Sequence, residues 1–580
     1  MLHWDEYIAN WPDLEYPNFT AFLKGMEEKW GEKTAVYFRT TKQTDFTRIS
    51  YIEFAAECRR VARGLLKAGL QKGDRVALWA ENRPDWMFVW LGTVIAGCSI
   101  IPVDYLVNEK ECQNIIDITK PKAFFYSKRK EEFVRSQDLN NDLKLCIDDE
   151  ESDIFRHFGK DAAVDLPAAD SIDQHHIASI VFTSGTTGFA KGVELSHKAI
   201  IANVSAAIQS VQPFPSDLFI NVLPLHHTYP TTCSFLAPLI RGCGTIIVEK
   251  IVGKVVIADI RDAKGTLLIA VPLLYDKVKD ALEAGFNKLS PVARGLINTL
   301  RSISLAKAKK NKIGFGRVML RFVRKKAGLD SIRVMVAGGG PLSPKTADFF
   351  ESLGFNIFHG YGMSENAPLI SVGTPGFKNN VSVGLPVKYT EVKINDPDEN
   401  GNGEIWVKSP SLMKGYYNNP EATKETLTAD GWLMTGDLGY MDDKGYIYIN
   451  GRKKNLIVSS GGKNIYPEEI EGHFSGSRIV GEILVLGRKD KSSGEQIFAV
   501  VVPNREALSQ DYPDKIKAEG SLSEDAKTLI HSLVKKEIEH INRSLPGYKK
   551  IADFTLRYEE FEKNAQRKIR RFLYKQYENG

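Results

Sequence analysis

Apolar and polar positions fall into alternating blocks along the first two thirds of the chain. In Ile49–Leu70, ISYIEFAAECRRVARGLLKAGL, apolar residues recur at helical spacing, and the pattern stops at Gly69, which predicts an amphipathic helix. The short apolar run Asp74–Ala80 (DRVALWA) predicts a strand, and Trp86–Val103 (WMFVWLGTVIAGCSIIPV) a helix followed by a strand. Further apolar runs at Ile177–Phe182, Thr266–Val271 and Ile332–Ala337 each lead into a loop rich in Gly or Pro. Such alternation predicts an α/β domain with a largely parallel sheet and flanking helices. In open sheets of this kind ligands sit beyond the carboxyl ends of the strands, where these loops lie. From about Gly403 the pattern changes to short strands and turns, through GEIWVKS, GWLMTGDLGYMDDKGYIYING and RKKNLIVSSGGKNIYPEEIE. Two longer strands (ILVLGR, EQIFAVVVP), a long helix (SEDAKTLIHSLVKKEIEHINRSL) and a last strand (FTLRY) then predict a small, mobile α+β domain. The boundary is set at Gly451–Arg452, giving domains 1–451 and 452–580. Glu131–Asp170 is polar and irregular and reads as a surface segment; there is no internal repeat.

Composition narrows the class. At 580 residues the chain exceeds what one core organises. Its 43% hydrophobic and 26% charged residues are those of an ordinary globular protein, and a net charge of +5 does not by itself point to nucleic acid. Cysteines 58, 98, 112, 146, 233 and 243 are scattered without Cys-x-x-Cys spacing, which argues against a zinc site and against a disulfide framework. The acidic, aromatic N-terminus lacks a signal-peptide pattern, and no uninterrupted apolar stretch is long enough to span a bilayer, so a reducing cytoplasm is expected and the Asn18 sequon is read as chance.

The strongest chemical signal is Ser179–Val193, SIVFTSGTTGFAKGV. A buried strand breaks into Thr183, Ser184, Gly185, Thr186, Thr187 and Gly188 and then reaches Lys191. Small residues let the backbone fold around an anion. Hydroxyls and loop N–H groups can donate to phosphate oxygens, and the lysine adds a point charge. The spacing is not that of the common P-loop. A flexible surface loop has a similar composition, but the order of letters favours a polyphosphate cradle.

That order, Thr-Ser-Gly-Thr-Thr-Gly-x-x-Lys-Gly, resembles the phosphate loop of the adenylate-forming enzymes: acyl-CoA synthetases, luciferases and peptide-synthetase adenylation domains. Further segments resemble the same family in the same order. LPLHHT (223–228) resembles the segment lining the acyl pocket, with His227 in a positioning role at its entrance. AGGGPL (337–342) resembles the adenine platform, with Gly338, Gly339 and Gly340, the last in place of the usual Ala. In GYGMSE (360–365) the resemblance implies that Tyr361 stacks on adenine, Ser364 meets phosphate oxygens and Glu365 binds Mg²⁺, a hard cation that takes carboxylate oxygen. In TGD (435–437) it implies that Asp437 accepts both ribose hydroxyls, with Arg452 as a second contact. Lys454 falls at the family's hinge, and Asn455 departs from the usual acidic residue beside it. SSGGKNIYP (459–467) resembles the loop lining the thiol tunnel, with Gly461, Gly462 and Lys463. NAQRKIRR (564–571) resembles the C-terminal catalytic motif and implies Lys568 as its lysine, although Asn564 and Arg567 replace the usual Thr and Gly.

The resemblance therefore implies ATP, Mg²⁺ and CoA. A fatty, long-chain acid is activated to acyl-AMP and passed to CoA, with Lys568, Ser364, Thr186 and His227 as the catalytic set. A carrier-protein acceptor, a medium-chain or aryl acid, and a non-catalytic nucleotide-binding homologue are the alternatives. Between Ala284 and Leu329 there is no Asp or Glu, and ten Lys and Arg residues crowd 301–326 among apolar neighbours such as Phe315, Leu320 and Phe322. A basic amphipathic helix pair suits an anionic membrane surface, which would make the protein peripheral on the inner face of a membrane; a solvated helical face is the other reading. No nucleic-acid partner is expected, and the oligomeric state is left open.

Overall fold

The computed structural model describes residues 16–138, 143–148, 158, 164–183, 191–458, 463–490, 494–563 and 569–578. The predicted helix forms as Tyr51–Lys67 and starts with a reciprocal cap: Ser50 accepts from the Glu53 N–H while the Glu53 carboxylate accepts from the Ser50 N–H. Its apolar stripe, Tyr51, Phe54, Ala55, Cys58, Val61, Ala62 and Leu65, is buried. It meets Pro84–Ile95, a helix buried over all but one of its residues, and Gly92 permits the crossing: a Cβ there would lie 2.6 Å from the Cys58 carbonyl oxygen. Each fully buried phenylalanine of this core, such as Phe54, contributes about 1.5–3 kcal/mol.

Two large sheets build the first domain. One runs from edge to edge through Gly415–Tyr416, Lys191–Ser196, Ile177–Thr183, Ser99–Pro102, Arg75–Trp79, Ala123–Tyr126 and Leu143–Cys146. The other runs through Leu385–Pro386, Leu369–Val372, Asn356–Gly362, Val334–Ala337, Leu267–Ala270, Leu218–Asn221, Gly244–Val248, Thr34–Arg39 and Thr47–Ser50. The inner strands of both are parallel, and the antiparallel pairs lie toward the edges. A four-stranded antiparallel sheet, Glu391–Asn395, Gly403–Lys408, Leu433–Met441 and Ile447–Arg452, follows. The last part is α+β: the strands Val480–Asp490, Gly494–Pro503 and Asp553–Leu556 pack on the helix Glu524–Asn542 around a core that begins at Ile457. The chain is thus a large α/β domain followed by a small α+β domain.

Three expectations change. Glu131–Asp170 is not merely a surface segment. It supplies the helix Glu131–Ser136 and the edge strand Leu143–Cys146, which pairs in parallel with Ala123–Tyr126, and it buries Phe158. Residues 467–472, expected among strands and turns, form a short helix with Pro467 in its first turn, where the missing N–H costs nothing. The basic segment is three helices, Pro291–Ala308, Gly314–Met319 and Arg321–Lys326, and part of it faces inward. Arg324 is 2% exposed; it donates to the carbonyls of Gly316 (3.1 Å), Leu353 (2.8 Å) and Arg317. Leu320 is fully buried, so neither residue can reach a membrane. No helix among the described residues is long and apolar enough to cross a bilayer.

Candidate active site

The strands Ile177–Thr183 and Lys191–Ser196 pair antiparallel, with Thr183 opposite Lys191. The loop between them, carrying Ser184, Gly185, Thr186, Thr187 and Gly188, lies outside the described residues, as do Gly461, Gly462 and Lys568. Thr183 and Lys191 open onto a cavity of about 640 Å³. The same cavity is lined by His227, Gly338, Gly339, Tyr361, Ser364, Glu365, Arg452 and Lys454, so ten of the sequence-derived site residues meet at one place.

Each wall has a local cause. Ser364 and Glu365 sit on a single turn of 3₁₀ helix after the strand Asn356–Gly362. Buried Asn203, on the helix His197–Val211, clamps that turn: it donates to the carbonyls of Asn366 (2.9 Å) and Leu369 (3.0 Å) and accepts from the Leu369 N–H (2.9 Å). The Ser364 hydroxyl lies 3.3 Å from that of Thr228. Tyr416 donates to Glu365 Oε1 at 2.7 Å, and the Lys191 ammonium lies 4.9 Å from the centre of the Tyr416 ring. The tyrosine therefore joins the lysine to the carboxylate, and burial together with the Glu365 charge pushes its phenol pKa far up. Gly338 is required by close approach, since a Cβ there would meet the Tyr229 ring at 2.7 Å, and Gly339 has φ +81°.

Gly340, Asp437 and Lys463 do not line the cavity. The Gly340 carbonyl lies 3.0 Å from His359 Nε2. Asp437, 3% exposed, is already engaged: Tyr361 Oη donates to Oδ2 at 2.6 Å and Arg452 Nε lies 2.7 Å from Oδ1. Asp437 and Arg452 are direct partners across two neighbouring strands, so the pair is built by register. Lys463 is on the small domain with its ammonium 4.6 Å from the Tyr548 ring centre. Lys454 borders the cavity, and desolvation, with Arg452 nearby, lowers its pKa to about 8. Burial lowers the His227 imidazole to about 3, which keeps the ring neutral.

At its other end the cavity is apolar, lined by Ala207, Ile208, Val211, Phe219, Cys233 and Ala237. Sequence reasoning missed these residues and Tyr416. The first group reads as ordinary core, because only the small side chains at 207, 233 and 237 hint at a void. Tyr416 reaches the site only because Gly415–Tyr416 adds an edge strand beside Glu194 and Val193.

The AMP-binding enzyme family matches residues 24–417. A long-chain-fatty-acid–CoA ligase of Drosophila melanogaster, heimdall, is 28% identical over 487 residues, covering 78% of this chain and 71% of that protein. A chloroplastic long-chain-fatty-acid–acyl-carrier-protein ligase of Arabidopsis thaliana is 25% identical, covering 88% and 78%. The crystal structure of ATP-bound MatB from Rhodopseudomonas palustris has the same fold, with a TM-score of 0.75 at 23% identity over 97% of this chain and 99% of that one. With a family match spanning more than half its length and a cavity that gathers the motif residues, the chain belongs to the AMP-binding enzyme family.

Proposed function

We propose that the protein is an AMP-forming acid–thiol ligase acting on a long-chain fatty acid and CoA. One observation carries this reading: a single cavity joins a polar end, with Thr183, Lys191, Ser364, Glu365 and Arg452, to an apolar end at Ala207, Ile208, Val211 and Phe219. An amphiphile with a carboxylate head fits that polarity. ATP phosphates would lie at the Thr183–Lys191 hairpin, with adenine against Gly338, Gly339, Gly340 and Tyr361. Ribose hydroxyls would donate to lone pairs of Asp437 that Tyr361 and Arg452 leave available, since a carboxylate has about four acceptor sites.

The carboxylate attacks the α-phosphorus, pyrophosphate leaves and an acyl-adenylate forms. A thiol then attacks the acyl carbonyl and AMP leaves. The protein's part is positioning and charge stabilisation. Lys568 bridges carboxylate and α-phosphate, Lys191, Ser184, Gly185, Thr186, Thr187 and Gly188 hold the outer phosphates, and neutral His227 shapes the acid's entrance. Glu365 suits Mg²⁺: its carboxylate is 9% exposed and faces the Tyr416 hydroxyl, and Mg²⁺ is commonly held by one or two carboxylates plus substrate phosphates. The ion neutralises phosphate charge when bound. Lys454 is the pivot on which the domain after about residue 452 turns to bring Gly461, Gly462 and Lys463 to the thiol path.

Six free, buried cysteines fit a reducing cytoplasm. The exposed residues of the basic segment, among them Val318, Phe322, Lys310, Lys312, Lys325 and Lys326, support a reversible contact with an anionic bilayer. A panel of carboxylic acids with ATP, Mg²⁺ and CoA, read by AMP release and thioester formation, tests the assignment. Highest kcat/KM on long-chain acids is the expected result; preference for aryl or short acids, or thioester formation only on a carrier protein, overturns the substrate or the acceptor.

A further inference from the structure

Asp104, His226 and His227 come together from both large sheets. Asp104 follows the strand Ser99–Pro102, and the two histidines lie in the turn after Leu218–Asn221. His226 Nε2 is 3.3 Å from Asp104 Oδ1 and 3.2 Å from His227 Nε2, and one ligand atom of each residue lies within 4.8 Å of the others. This is the one such convergence of His, Cys, Asp and Glu groups among the described residues.

Three lone-pair-bearing groups converge here, and one imidazole hydrogen serves one of these contacts at a time. A neutral imidazole carries one N–H. A hydrogen on His226 Nε2 can point well at Asp104 or at His227, not at both. A hydrogen on His227 Nε2 turns the His226 lone pair toward the Asp104 carboxylate. A metal ion placed among them would take a lone pair from each of the three groups at once. Two of the three spacings, 3.3 and 3.2 Å, match the roughly 3.3–3.4 Å that zinc bonds of about 2.0–2.2 Å in a tetrahedron put between neighbouring ligand atoms, and the third lies within 4.8 Å. The supports fit as well. The Leu106 N–H donates to Asp104 Oδ1 at 2.9 Å and the Trp79 indole to the Asp104 carbonyl at 2.9 Å, which fixes the carboxylate. Asn82 donates to the Leu223 carbonyl (2.7 Å) and accepts from the Leu225 N–H (2.8 Å), which ties the histidine turn to the other sheet. Ligands oriented by such outer hydrogen bonds are typical of metal sites.

We infer that Asp104, His226 and His227 form a three-ligand site for a divalent transition-metal ion of the zinc class, with a fourth position left to water. It is distinct from Glu365, whose surroundings favour a hard cation, whereas two imidazoles favour a borderline one. An ion there pins His227 at the cavity wall and joins the two sheets.

The test is titration of metal-free, full-length protein with Co²⁺. One equivalent should bind with the visible absorption of a tetrahedral site, Zn²⁺ should displace it and raise the melting temperature, and Mg²⁺ should do neither. Asp104→Asn and His226→Gln should each weaken Co²⁺ binding by at least about tenfold, the lower end of what even outer partners of a site cost. X-ray absorption on zinc-loaded wild-type protein, which needs no variant to fold, should show two imidazole ligands. Substoichiometric binding, an octahedral cobalt spectrum, a zinc shell without imidazole, or binding that survives in both folded variants overturns the inference.

Discussion

Glu365 is held by one phenol, and that contact decides how it responds to change. Glu365→Gln keeps a group that can accept from Tyr416 Oη but makes a poorer ligand for a hard cation. The Mg²⁺ titration of adenylation should move to higher concentration and the rate should fall by about 10–100-fold, the range for weakened metal sites. An unchanged titration excludes Glu365 as a metal contact. Gly340 gives the opposite case. A Cβ there meets nothing nearer than Pro272 at 3.8 Å, so Gly340→Ala should raise stability by about 0.4–1 kcal/mol in denaturant unfolding. Gly338→Ala should destabilise, because its Cβ lands on the Tyr229 ring. The motif residues were legible because their types state their chemistry. Their mutual contacts were not: Asp437 and Arg452 read as two separate ligand contacts, and only strand register makes them an ion pair. Arg324 read as one more surface charge, because a run of basic letters does not reveal three carbonyls closing around one guanidinium.

At the scale of elements, the helix His197–Val211 carries both the Asn203 clamp and a buried histidine at its first position. His197 Nδ1 accepts from the Phe19 N–H at 3.2 Å, and burial lowers the imidazole to about 3 from an ordinary 6.5. Between those values the unfolded chain binds the proton and the folded chain does not, so stability rises with pH there and is flat above about 6.5. Well inside the window His197 contributes about 1.4 kcal/mol per pH unit. His197→Gln should flatten the melting temperature against pH between 6 and 4 by about one proton's worth of slope, after allowance for its lower starting stability; an unchanged slope contradicts a neutral buried His197. Elements with their own period were legible: Tyr51–Lys67 declares itself through its apolar stripe and the Ser50–Glu53 cap. Leu143–Cys146 did not, because four residues inside a polar stretch become a strand only by pairing with Ala123–Tyr126.

For the whole molecule, the shape of the basic face decides the membrane question. Lys310, Lys312, Lys325 and Lys326 are exposed, as are Val318 and Phe322, while Arg324 and Leu320 are not. Each lysine near an anionic surface is worth about 1 kcal/mol. Changing those four lysines to Gln should abolish co-sedimentation with anionic vesicles and spare activity on a short soluble acid, whereas wild-type protein that ignores such vesicles at low salt leaves the segment a solvated face. The α/β class and the small last domain were legible from the change of pattern near Gly403, but the acyl end of the cavity was not, since a void is a property of packing. In the proposed reaction one cavity makes an acyl-adenylate before any thiol arrives. Exchange of labelled pyrophosphate into ATP, measured with fatty acid and Mg²⁺ and without CoA, tests it most directly. Exchange should require the acid and fall by about 10²–10³ in Lys568→Ala, the cost of one lost electrostatic contact at the reacting centre; exchange absent with every acid, or equally fast without any, rules the acyl-adenylate step out.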